Sequence, residues 1–219
     1  MAEAELTSWT LIRDAAAGDA AARDRFGQVY LQVVRAYFTA RWRGARHDVE
    51  DAAQDVFVEC FRAGGLLAKA DPERDGGFRA FLLGAARNVA RRHETRVRPA
   101  AELPAELPAD ESGPAEAFER AWARALVREA ARIQEQRAWA SGPAAVRRVE
   151  LLRLRFGDGL PIREIAARWG VDAAWLHHQY ATARDDFRSA LREVVAFHHP
   201  DASPAEAERE CGELIRLLG

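Results

Sequence analysis

Lysine is almost missing from this chain. Lys69 is the only one in 219 residues, so positive charge is carried by arginine. That pattern reflects a general bias in residue usage, and arginine abundance alone does not mark a nucleic-acid binder. Cysteine is scarce too: Cys60 and Cys211 are isolated in sequence with no CxxC spacing. Their isolation argues against a disulfide framework or a structural metal, and for a reduced, cytoplasmic protein. Apolar runs such as 81–86 are far too short to span a bilayer, so no membrane partner is expected. The amino terminus, MAEAELTSW, is acidic and lacks a signal-peptide pattern. No stretch alternates apolar and polar residues over a useful strand length. Gly-rich phosphate loops, Ser/His/Asp arrangements and spaced metal ligands are missing as well. No catalytic residue, cofactor or metal is therefore expected, and the chain reads as a non-enzyme.

What is present is helical. Ala, Leu, Arg and Glu dominate, and 48% hydrophobic residues with 30% charged ones permit cores within a soluble protein. The expected class is all-α, with two small helical domains joined by a Pro/Ala/Glu linker. The linker is the segment 99–114, which holds Pro99, Pro104, Pro108 and Pro114, a tandem AELP-AELP and unpaired acids. Such a strap is stiff and self-repelling, reaching about 50 Å at ~3.1 Å per residue if extended. Before it, residues 5–98 read as four helices at about 6–16, 20–41, 49–63 and 78–96. After it, residues 115–195 hold helices at about 115–138 and 146–156 followed by a helix-turn-helix. Residues 196–219 form a tail with an amphipathic helix from about Pro204.

The helix-turn-helix occupies 160–191, LPIREIAARWGVDAAWLHHQYATARDDFRSAL. Pro161 suits a helix's first turn, Gly170 gives the backbone freedom of a sharp turn, and Asp172 can cap the following helix. Leu176, Tyr180, Ala183, Phe187 and Leu191 recur at three- and four-residue steps, so one face is expected to be buried. The opposite face, with Ala174, His177, His178, Ala181, Thr182 and Asp185, is left for water or a ligand. A helix held this way can enter a DNA major groove. Trp175, His177, His178, Gln179, Thr182 and Arg184 are placed near DNA; Gln179 can pair with adenine and Arg184 or Arg188 with phosphate.

The net charge of −2 conceals segregation. Residues 87–98 carry Arg87, Arg91, Arg92, Arg96 and Arg98 against Glu94 alone. Residues 100–119 carry six acids and no base. Segregated charge of this kind suits an electrostatic footprint on nucleic acid.

Four segments carry a family resemblance. DVEDAAQDVF (48–57) resembles the signature helix of extracytoplasmic-function (ECF) sigma factors of bacterial RNA polymerase. GFRAFLLGAARNVARRHETR (77–96) looks like that family's promoter-reading helix. VELLRLRFGDGLPIREIAARWGV (149–171) resembles its second domain, and FERAWARALVREA (118–130) the lead-in helix of some members. The match covers about 20–98 and 115–193, in order. The resemblance implies a sigma region 2-like domain at 5–98 that binds core polymerase and reads the −10 element. It also implies a region 4-like helix-turn-helix domain at 115–195 that reads the −35 element. The implied partners are core RNA polymerase, through the β′ clamp and the β flap, and promoter DNA; an anti-sigma factor is a further partner the family admits. Asp48, Glu50, Asp51, Gln54 and Asp55 would face the clamp, and Arg87, Asn88, Arg91, Arg92 and Arg96 the −10 DNA. Phe57, Val56, Phe78 and Phe81 read as core.

Typical members follow the turn with several lysines and arginines, whereas His177, Gln179, Thr182, Asp185 and Asp186 stand here. Two carboxylates there repel phosphate unless Arg184 and Arg188 offset them. Two other readings stay open: a helix-turn-helix regulator acting without polymerase, and a degenerate sigma-like interaction protein. The first needs a sensor or dimerisation module, and the N-terminal half shows neither a βαβ pattern nor a heptad seam. In the tail, His198-His199 lack a spaced third ligand and read as polar loop residues. The tail helix, with Ala207, Cys211, Leu214, Leu217 and Leu218, is left to fold onto the second domain or to meet a regulator.

Overall fold

The computed structural model describes residues 8–43, 48–71, 76–97, 112–199 and 202–218. These residues are all-α, with no strand among them. The helices are α1 (Ser8–Ala17), α2 (Ala20–Arg41), α3 (Val49–Phe61), α4 (Gly77–Val97), α5 (Ser112–Ser141), α6 (Pro143–Leu152), α7 (Ile162–Trp169), α8 (Ala173–His198) and α9 (Pro204–Arg216). A 3-10 turn occupies Leu67–Lys69 and a wide π-helical turn Arg153–Gly157. The expected linker lies outside the described residues as far as 111, and residues 112–114 already belong to α5. No described helix is long and apolar enough to cross a membrane.

Two compact units result, residues 1–125 with 196–219 and residues 126–195. Their boundaries fall within α5 and α8 rather than in loops. The division read from composition follows the proline-rich segment; the compact units follow packing.

The first unit is built on aromatic rings. Asp19 starts α2 by accepting a 2.7 Å hydrogen bond from the Ala22 N–H, which supplies one of the partners a helix start lacks. The buried stripe of α2 is Phe26, Tyr30, Val33, Val34, Tyr37 and Phe38. Phe26 meets Tyr30, Phe57, Phe61 and Phe78 at centroid distances of 4.7–5.8 Å. Edge and tilted contacts of this kind add to area burial because ring edges are positive and faces negative. Val56 and Phe78 are fully buried as expected, while Phe57 and Phe81 are half-buried. Trp122, near the start of α5, stacks on Tyr30 at 5.6 Å.

The tail completes this core. His198 is buried, shares a 2.8 Å hydrogen bond with the Tyr30 hydroxyl, and lies edge-on to Trp122 at 5.0 Å. Gly77 lets the tail approach: a Cβ there would stand 3.1 Å from His199 Cε1. Ser203 and Glu206 form a capping box at the start of α9, and Ala207, Cys211 and Leu214 are its buried residues. The sequence offered the second domain or a regulator as the tail's destination. The structure places α9 in the first unit instead, where the ring of His198, just ahead of it, stands edge-on to both Tyr30 and Trp122.

In the second unit, Leu151, Leu154, Ile162, Ile165, Ala166 and Leu176 form the core. Gln134 is buried on α5, and its amide N–H donates to the Ala183 carbonyl of α8 at 3.0 Å. Satisfying a buried amide this way avoids the desolvation cost of leaving it unpaired.

Candidate protein and nucleic-acid interfaces

The acidic start of α3 separates into structural and open residues. Asp48 caps the helix, its carboxylate accepting from the N–H groups of Glu50 and Asp51 at 2.8 and 3.1 Å. Glu50 is ion-paired with Arg35 of α2, and Asp55 holds His93 Nε2 of α4 at 2.8 Å. Asp51 and Gln54 stay exposed, with no side-chain partner among the described residues. One turn on, the same face carries Val58, which is 56% exposed. Sequence reading did not pick out Val58. An aliphatic residue off the buried stripe was its only signal.

On α4, Asn88, Arg91 and Arg96 are exposed on one helical face. Arg92 is exposed but ion-paired with Glu59. Arg87 is half-buried and has a partner within the fold. Glu94, which in sequence offsets the arginines, is taken by Arg41 at 2.6 and 3.0 Å and by the Trp42 indole N–H at 2.9 Å. Glu94 is thus engaged elsewhere and does not offset the exposed Arg91 and Arg96.

The helix-turn-helix begins at Pro161, which is extended and sits one residue before the first turn rather than in it. Gly170 ends α7 in the left-handed region at φ 64°, where glycine avoids the Cβ clash. Its N–H and that of Val171 return to the carbonyls of Ala167 and Ala166 at 3.2 and 3.0 Å, closing the helix in the Schellman manner. Asp172 then caps α8, accepting from the Trp175 N–H at 2.8 Å. Leu176, Ala183 and Leu191 are buried, while Tyr180 and Phe187 are only half-buried. Trp175 is 45% exposed, His177 and His178 are exposed, and Gln179 and Thr182 are half-buried. The Thr182 hydroxyl donates to the His178 carbonyl at 3.2 Å. Arg184 stands 5.7 Å from the Tyr180 ring centroid, and Arg188 is exposed but has a partner within the fold. Of the two carboxylates, Asp186 accepts from Arg148 at 3.0 Å; Asp185 is exposed.

Sequence reading missed a groove of about 460 Å³ lined by Trp139, Gly142, Pro143, Val146, Arg147, Glu150 and Trp169. Trp139 is 68% exposed, and the Arg147 guanidinium lies 4.6 Å over the Trp169 ring. The hydrogen bond from Arg153 holds the exposed Glu150 carboxyl below the ordinary glutamate range. A tryptophan on each side of the Ser141-Gly142-Pro143 break was the available cue. Among the described residues no three His, Cys, Asp or Glu side chains gather to hold a metal. Burial, helped by the neighbouring charge of Glu59, pushes the Cys60 thiol up to about 12. A thiol so protonated is a core residue and not a nucleophile.

No known protein family matches the chain, and no curated protein matches it either.

Proposed function

We propose that this chain is a sigma factor of the extracytoplasmic-function type, which directs bacterial core RNA polymerase to promoters and assists initiation without catalysing a reaction. In this reading it is cytoplasmic. Its first unit is of the region 2 type and its second of the region 4 type. The observation that carries the reading is the capped helix-turn-helix of α7 and α8, with Trp175, His177, His178 and Gln179 outside its core. A second helix anchored by Leu176 and Ala183 and open at its first turns suits the major groove. The four ordered sequence resemblances, from 48–57 to 149–171, support polymerase rather than an operator as its context. Asp51, Gln54 and Val58 on α3 offer a mixed acidic and apolar patch to the clamp, where carboxylates steer encounter and fix register. Arg91 and Arg96 suit phosphate of the −10 DNA. The groove at Trp139 and Trp169 gives the second unit an apolar seat for the flap.

The test is purified chain mixed with core polymerase, read as complex formation and promoter-dependent transcript. Asp51→Arg with Gln54→Ala is expected to weaken core binding about tenfold or more. Arg91→Ala with Arg96→Ala is expected to leave core binding intact and reduce open complex. A chain that gives no complex and no transcript refutes the proposal. Specific promoter binding without polymerase favours an independent regulator.

A further inference from the structure

The outward face of α5 carries a row of arginines. Arg120, Arg124 and Arg128 recur every four residues on this one helix, and all three are exposed. A step of four residues advances about 6 Å along the axis and turns by about 40°, so the three side chains stand in file along the helix. Arginine is common throughout the chain, so its number decides nothing; its partners do. Arg35, Arg41, Arg92, Arg137, Arg148 and Arg153 each hold a carboxylate. Arg124 and Arg128 have no hydrogen-bond or ion-pair partner among the described residues, and Arg120 has a loose 3.6 Å pair with the exposed Glu116.

The acids within this span turn elsewhere. Glu119 pairs with Arg79 of α4 at 3.4 Å, and Glu129 with Arg132 at 2.6 Å. Like charges four residues apart repel and weaken the helix that carries them. A partner with evenly spaced negative charges removes that repulsion. The face is also bare: from 113 to 138, α5 exposes no large apolar side chain. Protein partners need aromatic or other apolar anchors packed in a dry centre. A phosphate backbone needs only cations and donors at repeated positions, and a guanidinium presents paired N–H donors that match two phosphate oxygens.

We infer that α5 binds the sugar-phosphate backbone of nucleic acid along Arg120, Arg124 and Arg128, without reading its sequence. The inference rests on the DNA-binding reading given above and adds a contact apart from α4 and α8.

Binding of the full chain to a DNA duplex of arbitrary sequence, alone and with core polymerase, is measured as salt is raised. The logarithm of affinity falls with the logarithm of salt by about 0.9 for each phosphate neutralised, so Arg124→Gln with Arg128→Gln should make the slope shallower by about 2. Glutamine is a good helix former, and the loss of like charges should leave the thermal midpoint unchanged or higher. Arg43→Gln with Arg62→Gln removes two exposed arginines outside the row and should move the slope far less. An equal change from both pairs, or none from the α5 pair, overturns the α5 contact and leaves the DNA-binding reading standing. A weaker complex with core polymerase at an unchanged slope also overturns it, assigning the row to an acidic protein face. A chain that binds no duplex by itself and adds no binding to core polymerase overturns both.

Discussion

Glu94 sits among arginines in the sequence, yet its partners are Arg41 and the Trp42 indole at the end of α2. The Arg41 side chain is only 8% exposed. Removing its carboxylate partner strands a desolvated charge, and breaking a buried pair costs far more than forming one gains. Glu94→Ala is expected to lower stability by about 2–4 kcal/mol in urea unfolding; Arg91→Ala, on the exposed face three residues earlier, should change it by under about 0.5 kcal/mol. Sequence reading saw both residues as parts of one charge pattern, because nothing local reveals a partner 53 positions away. Glu210 makes a second case at this scale. Burial, the strongest single influence, raises its carboxyl; the His199 hydrogen bond and the positive charges of His199, Arg79 and His198 outweigh it and hold the group below its ordinary value of 4.5. A carboxyl lowered on folding adds stability that is present above its unfolded value and lost as pH falls through the folded one. Unfolding midpoints should therefore drop below pH 4.5 more steeply in the wild type than in Glu210→Gln, which removes the titration.

The turn between α7 and α8 shows what an element owes to single residues. Gly170 needs its left-handed backbone but not an empty space, since nothing lies within 4 Å of a Cβ built there. Gly170→Ala should thus cost only the backbone term, about 1 kcal/mol. Asp172→Ala should cost a similar ~1 kcal/mol through the lost cap. The two are close neighbours, so a double variant falling short of their sum would show that cap and turn form as one step. Thermal unfolding of the three variants measures this. Turn and cap were legible because glycine and aspartate act on their immediate neighbours. Helix ends set by packing were less so: α5 runs to Ser141 rather than about 138, and α6 gives way to a wide turn after Leu152. Phe156 drew the expected helix onward by its apolar character, yet it is 69% exposed. At the candidate sites the sequence placed the chosen residues on helices that the structure also forms, α3, α4 and α8. It could not separate Asp51 and Gln54, which are open, from Glu50 and Asp55, whose partners Arg35 and His93 lie on other helices.

At the scale of the whole molecule, the tail is the feature that pattern alone could not place. Its helix is amphipathic, and amphipathicity says that a face is buried without saying against what. The answer lies in His198, which joins Tyr30 by a hydrogen bond and Trp122 by ring packing. Since residues 196–219 pack as part of the first unit, that unit should open more readily without them. Cys60 reports this opening: it is buried on α3, far from the cut in sequence, and its thiol is held up at about 12 by burial. A chain ending at Val195 keeps Cys60 and loses Cys211, so alkylation of that chain reads one thiol. Local opening governs access to a buried thiol, and loss of about 2 kcal/mol of tail packing speeds labelling roughly 30-fold. His198→Ala in the full chain should give a smaller acceleration at Cys60, since α9 keeps Ala207, Cys211 and Leu214 to pack with. If the shortened chain labels at the rate of the intact protein, the tail rests on the first unit without belonging to its cooperative core.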